Sequence, residues 1–502
     1  VSAATDRGSG DARPASLRRT LGTPKVVFLV VAAAAPLAAM VGTVPLAFVI
    51  GNGAAVPAMF VFAGLTLLCF SVGYAAMSRR IVTSGGFYGY LSAGLGRPAA
   101  VGGGWAAVLA YNTATVGMTG AFAYFAQLVA SSYGLDWPWP VWAAIGLALM
   151  GVLGYRKIDF SARVLAVLMI AEVAILVLLD VAVLLRHGGG ALPAASFDPA
   201  TIVGAGLGVS LMFALISFIG FESAALYGEE SRNPRRSVPL ATYWSVILIA
   251  VFYALTSWVA VGAVGPGQLR DVAGQQLGNL FGGLTDDYLG SAVTTAMQIL
   301  LCTSLFAGML AMHGASNRYL FALGRDRVLP AGLGAVHRKH GSPHRASLTQ
   351  TVFTVAVTAI FAIAGADPYV NLATTMTGLG TLGIVGLQAA ASLSVIAFFR
   401  RRPDRHWWRT GVAPVLGLLG LVASAVLVIQ NFDLLTGTTS TLVNSLPWAF
   451  VVVVAAGAGF ALWLRARRPE RYAALSRIAS ERGGLAAVPD PQEPGDRRAE
   501  AA

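Results

Sequence analysis

Three carboxylates stand where lipid tails belong. Glu222 falls in LISFIGFESAALYGEE (215–230), just after Ser217 and Gly220 loosen an otherwise membrane-grade apolar run. Glu172 lies near the centre of LMIAEVAIL, and Asp180 follows eight residues later, loosely on the same helical side. No Lys or Arg sits at comparable depth in any apolar run. A carboxylate at that depth costs about 2.5–3.5 kcal/mol on insertion scales. Each acid must therefore be protonated, solvated by a cavity, hydrogen-bonded to freed backbone, or paired with a transported cation. For Glu222 two readings compete: an acceptor for N–H groups released where a helix breaks at Gly220, or a direct proton or substrate group. For Glu172 the choice lies between a bond to a neighbouring Ser or Thr and a protonatable coupling site. Asp180 reads as an interfacial acid.

The elements that carry these acids follow from composition. The chain of 502 residues is 56% hydrophobic and 12% charged, about half the charge of a soluble domain. Apolar runs of bilayer length, roughly 17 to 25 residues, recur near 26–50, 55–78, 99–130, 139–155, 160–186, 201–226, 238–264, 288–313, 348–364, 369–398, 411–430 and 443–464. They are continuously apolar rather than alternating, which predicts helices and not barrel strands. The expected fold class is an all-α polytopic membrane protein with twelve spans. Of 35 Lys and Arg, 33 fall on the side that holds both termini, and only Arg186 and Arg270 lie opposite. That bias places both termini in the cytoplasm. It also accounts for the net charge of +12 without nucleic acid, and Arg400–Arg402 and Arg465–Arg468 are placed to touch anionic lipid.

The small residues of AAAAPLAAM (32–40) offer a signal-peptide cleavage site, but the long polar leader and the continuing apolar run favour a first span. Residues 1–24 and 469–502 read as disordered tails. Cys69 and Cys302 lie inside spans and suggest no disulfide framework. There is no phosphate loop, hence no sign of an ATP-driven pump. His187 and His313 border spans without an acid nearby in sequence. His337, His340 and His344 crowd one basic loop, with little to suggest a metal.

Helix breaking is the second signal. Span 1 carries Pro36, Gly42 and Pro45, and span 6 carries SFIGFES. Transporters with inverted repeats place interrupted helices at equivalent positions of their two halves to build a midplane site. Spans 1 and 6 are equivalent if five helices (25–200) repeat as five more (201–400), with two appended (401–468). Exposed N–H groups would then face a substrate carboxylate, and carbonyls and acids an amine or coupling cation.

Three loop motifs, in order, carry a resemblance. SGGFYGYLSAGLGRPAAVGGGW (84–105) is similar to the GG-x-Y-x-Y…G-x-x-x-G-x-x-x-W stretch of the amino acid–polyamine–organocation transporters, through Gly85, Gly86, Tyr88, Tyr90, Gly103, Gly104 and Trp105. GFESAALYGEESRNPRRSVPLA resembles its GFE…EE-x-x-NP-x-R-x-x-P, through Gly220, Phe221, Glu222, Glu229, Glu230, Asn233, Pro234, Arg236 and Pro239. The loop after span 8 resembles its S-R-x-x-x-x-x-x-R-D-x-x-L-P…H…P segment, through Arg318, Arg325, Asp326, Leu329, Pro330, His337 and Pro343. Read physically, these loops are gate and packing machinery rather than substrate contacts.

The resemblance implies a LeuT-type core of five helices and an inverted five, plus two further helices. It implies a secondary transporter of amino acids, with polyamines or exchange as alternatives, and no cofactor; the acid-rich core, not the resemblance, favours a coupling proton or a cationic substrate. Counting back from Gly85 puts the family's GSG signature on Ala38, Ala39 and Met40. The expected substrate contacts are therefore the main chain of Ala38, Ala39, Met40, Val41 and Gly42, and of Ser217, Phe218, Ile219, Gly220 and Phe221, with Tyr111 and Asn112 of span 3 nearby. Two departures stand out. The acid expected at the end of span 2 falls on Ala76, and Glu172 stands where many members carry a Lys. Glu172 and Glu222 are the coupling candidates, Glu172 the stronger, with Glu222 bonding freed backbone at the break.

Overall fold

The computed structural model describes residues 22–81, 86–156, 162–204, 206–227, 231–400 and 402–475. Both tails beyond these limits, and with them Gly85, Glu229 and Glu230 of the loop motifs, lie outside the described residues. The helices are α1 (Thr23–Ala33), α2 (Pro36–Ile50), α3 (Val56–Ser78), α4 (Phe87–Gly94), α5 (Arg97–Ser131), α6 (Trp139–Arg156), α7 (Ala162–His187), α8 (Leu207–Phe218), α9 (Pro234–Val264), α10 (Ser291–Arg325), α11 (His344–Ile363), α12 (Thr374–Phe399), α13 (Ala413–Gln430) and α14 (Trp448–Arg467). Short helices lie between some of them, and no strand occurs among the described residues.

Nine helices among the described residues are long and apolar enough to cross a bilayer on their own. Three of the twelve expected spans are not among them, for local reasons. The first is cut into α1 and α2, α5 is diluted by Gly, Thr and Ala, and α6 carries Trp, Pro and a terminal Arg. The outward face of α7 exposes Val167, Ile170, Val177, Leu178 and Val181, as expected where the neighbour is lipid. Its acids point the other way. Asp180 is buried against α9 and accepts a bond from Thr256 Oγ1 at 2.7 Å.

Both helix interruptions have a chemical cause. Pro36 disfavours the α-helical region for the residue before it; Ala35, two residues past the end of α1, sits in the left-handed region (φ 45°). Pro36 itself opens α2, where a missing N–H costs nothing. In the second case α8 stops at Phe218, Ile219 is extended, and Gly220 takes φ 114°, a region L-residues rarely enter. A tight 3₁₀ stretch, Phe221–Tyr227, follows. Pro45 and Pro239, by contrast, sit inside continuous helices.

Small residues let the long helices approach. A Cβ on Gly457 of α14 would stand 2.8 Å from Gly102 Cα of α5, and one on Gly380 of α12 would stand 2.8 Å from Ala110 O. Close backbone approach of this kind is how helices associate in lipid, where burial of apolar surface adds no drive.

The connecting segments sort into two sets. Thr23 bonds Ser237 (2.8 Å), Arg80 pairs with Asp404 (2.6 Å), Tyr88 bonds Asp326 (3.0 Å), Tyr155 packs on His337, and Arg97 donates to Leu475 O (3.1 Å). At the other end, Arg270 donates to Gly51 O (2.8 Å), Trp258 to Pro193 O (2.9 Å), and His187 meets Tyr288 (2.6 Å). Each set joins only loops that alternate crossings would bring to one side.

Candidate functional site

The two breaks face each other across a cavity of about 50 Å³, closed in by α2, α5, α8, α10, α12 and the turn before α12. From α2 and the link that precedes it come Ala34, Ala35, Ala38, Ala39, Gly42, Thr43 and Leu46; from α8 and its end come Phe213, Ile216, Ser217 and Ile219. Thr43 and Ser217 share a hydrogen bond at 3.2 Å, and the Thr43 hydroxyl also donates to Ala39 O. Tyr369 lies at one end, donating to Gly42 O at 3.1 Å and stacking on Tyr124 at 4.6 Å. Asp367 fixes that turn by accepting from Tyr369 N and Val370 N.

Each break carries a carboxylate. Glu172, 5% exposed, accepts from Ser304 Oγ at 2.8 Å and from Leu37 N at the long distance of 3.5 Å. Because Pro36 has no N–H, Leu37 offers the first free donor of α2, at the positive end of that helix. The Ala34 carbonyl left by the end of α1 accepts from Tyr253 Oη at 3.3 Å. Glu222, 4% exposed, accepts from Gly220 N at 3.0 Å and from Tyr111 Oη at 2.9 Å, while its own carbonyl accepts from Tyr74 Oη at 3.1 Å. Of its two sequence readings, the backbone cap is the one these bonds describe.

A chain of contacts runs from this second break to the loop motifs. Tyr111 stacks on Tyr319 at 5.5 Å, Tyr319 Oη accepts from Phe87 N at 3.2 Å, and Tyr88 beside it donates to Asp326. Burial and the negative Asp326 hold the Tyr88 phenol well above its usual range, so it remains a donor. Two of the three motifs thus meet, and Trp105 stacks on Phe460 of α14 at 5.8 Å.

The sequence-predicted residues divide. Ala38, Ala39, Gly42, Ser217 and Ile219 line the cavity. Ala38 to Gly42, however, belong to the regular helix α2; the interruption falls upstream, at Ala34 and Ala35. Met40, Val41, Phe218, Gly220 and Phe221 are buried and do not line it. Tyr111 and Asn112 do not line it either. Tyr111 serves Glu222, and Asn112 bonds Ser316 Oγ at 2.7 Å beside a second cavity of about 280 Å³ between α5, α10, α11 and α14. Glu172 and Glu222 stand behind the lining.

Sequence reasoning missed Tyr369, Thr374 and Thr377, although hydroxyls three residues apart at the start of span 10 were a signal. Phe213, Ile216 and Leu305 carry no signal at all in plain apolar sequence. It also missed that His313 is buried, bonding Ser347 Oγ at 3.0 Å and Gln350. No group of residues suited to hold a metal occurs among the described residues.

A family model described as "Amino acid permease" matches residues 21–458. The chain is 26% identical over 469 residues to the branched-chain amino acid permease BcaP of Bacillus subtilis, covering 88% of this chain and 92% of that one. It is 25% identical over 387 residues to a methylthioribose transporter of the same species, covering 74% and 79%. The fold is similar to the crystal structure of MhsT in complex with L-phenylalanine, with a TM-score of 0.55 at 14% identity, over 84% of this chain and 100% of that one.

Proposed function

The chain belongs to the amino acid permease family, and from that premise we propose that it moves an amino acid across the cell membrane as a proton-coupled secondary transporter working by alternating access. It is a multi-pass membrane transporter, not an enzyme. The observation that carries the finer reading is the pair of interrupted helices facing one cavity, each with a buried carboxylate at its break. In this reading the chain crosses twelve times with both termini cytoplasmic. Residues 25–200 and 201–400 form inverted halves, and α13 and α14 are added outside them.

The substrate rests between α2 and α8, against main chain at Ala34, Ala35 and Ile219 and the hydroxyls of Thr43 and Ser217. Glu172 couples. Its ionised carboxylate holds the Leu37 N–H and so occupies the positive end of α2. A substrate carboxylate seeks the same donor, and two anions at one helix end repel. Protonating Glu172 releases that donor, so substrate and proton favour each other's binding by linkage. Glu222 keeps the second break open by holding Gly220 N–H. Tyr369 bridges the turn before α12 to Gly42 and acts as a gate on the side away from the termini; the Tyr88–Asp326 contact closes the terminus side.

The test is uptake into proteoliposomes under an imposed pH gradient, acid outside, with labelled amino acids and with and without a protonophore. Gradient-dependent uptake, abolished by the protonophore, supports the reading. Uptake only against preloaded substrate makes the protein an exchanger and removes the coupling role from Glu172.

A further inference from the structure

We propose, resting on that reading, that the substrate is a neutral amino acid with an aliphatic side chain, and that Gly42 sets its upper size. Relatives do not decide this, since one is named for branched-chain amino acids and another for methylthioribose. The cavity does.

The first argument is charge. The lining is apolar apart from five hydroxyls, those of Thr43, Ser217, Tyr369, Thr374 and Thr377, and it contains no Asp, Glu, Lys, Arg or His. The two nearby acids are behind the lining, each already accepting from backbone and from a hydroxyl. A lysine, arginine or polyamine would bury a cation with no partner. Leaving one charge unpaired inside protein costs about 3–5 kcal/mol, a discrimination above about a hundredfold. Coupling closes the remaining route. If Glu172 carries the proton while substrate is aboard, it is neutral then and cannot also balance a cationic side chain.

The second argument is size. The cavity of about 50 Å³ is small against ordinary ligand pockets of about 300–1,000 Å³, so the wall sets what enters it. The wall that meets the side chain is built of branched and aromatic groups, Leu46, Phe213, Ile216 and Leu305, whose volumes are fixed by packing. Gly42 is the opening in it. A Cβ built there would find a single atom within 4 Å, Phe125 Cε2 at 3.9 Å. Alanine therefore fits without moving a neighbour, and its methyl takes space from the ligand. Alanine is also the better helix former, and Gly42 lies within α2, so the variant folds.

The experiment measures uptake of labelled leucine and alanine, with unlabelled lysine, arginine and putrescine as competitors, for wild type and Gly42→Ala. The expected result is leucine uptake that a hundredfold excess of the three cations leaves intact. In Gly42→Ala the leucine-to-alanine ratio of kcat/KM falls about tenfold or more, the usual effect of one methylene in a pocket. Inhibition by lysine or putrescine at leucine-like concentrations overturns the charge argument while leaving the transporter reading standing. An unchanged ratio in folded Gly42→Ala overturns the size argument. Failure to take up or exchange any amino acid, by protein that remains monodisperse, overturns the transporter reading itself and this inference with it. The wild-type panel decides the charge question with no variant at all.

Discussion

A carboxylate inside a membrane protein is defined by what donates to it, and at Glu172 and Glu222 the donors are one main-chain N–H at a broken helix and one hydroxyl. Glu222→Gln keeps an acceptor for Gly220 N–H and is expected to fold. Glu222→Ala strands that N–H and the Tyr111 hydroxyl, and a buried unsatisfied donor costs about 1–3 kcal/mol. Thermal unfolding in detergent should therefore show Glu222→Ala well below Glu222→Gln, and equal midpoints would remove the capping role. For Glu172 the readout is different. Gln preserves an acceptor for Leu37 N–H and Ser304, but carries no titrating proton. Wild-type uptake should rise as external pH falls, and Glu172→Gln should be flat across the same range; a pH profile matching wild type would end the coupling assignment. The sequence made half of this legible. Glu222 lies two residues from the glycine it serves, so its local role could be read directly. The partners of Glu172 lie 132 and 135 residues away, where only the fold brings them together.

At the scale of elements, the discriminating feature is where the first helix breaks. Counting back without gaps from Gly85 places the break at Ala38 to Met40, but such a count cannot register a shift along the intervening helix. The stereochemical signal lay three residues before Ala38: a proline disfavours helix for its predecessor, and Ala35 is the residue that takes φ 45°. That conformation costs alanine about 1–2 kcal/mol. Ala35→Gly removes the strain against a smaller loss of about 0.5–1 kcal/mol from the freer unfolded chain, so its midpoint should equal or exceed wild type. Gly220→Ala does the reverse, since φ 114° suits only glycine, and its midpoint should fall. If both substitutions act alike, backbone strain is not what shapes the breaks. Tyr369→Phe tests the gate by deleting one bond, from its hydroxyl to Gly42 O, with the ring stack on Tyr124 retained. A net bond of this kind contributes about 0.5–1.5 kcal/mol, so folding should change little while the leak of preloaded substrate increases.

At the scale of the whole molecule, the distribution of charge and the pairing of loops agree without depending on each other. The basic residues sort to one side by counting along the sequence. The contacts Thr23–Ser237, Arg80–Asp404, Tyr88–Asp326 and Arg97–Leu475 sort the same loops to one side by geometry. The apolar runs marked where the helices lie, and the loop contacts fit the alternation of crossings proposed for them. What composition could not show was which residues of those helices turn inward to the cavity, because Phe213, Ile216 and Leu305 look like any other lipid-grade residue until α8 and α10 are packed. The proposed orientation of the assembled molecule rests on the cytoplasmic preference of Lys and Arg, and it is open to a direct test. In a background lacking Cys69 and Cys302, a cysteine at Gly189, exposed in the segment after α7, should react with an impermeant maleimide added to intact cells. One at Arg338, exposed between α10 and α11, should react only after the cells are opened. The reverse pattern would invert the membrane orientation and put the Tyr88–Asp326 contact on the outside. Labelling of both positions in intact cells would mean that these two loops do not lie on opposite faces, and the alternation of crossings on which the paired breaks depend would fail with it.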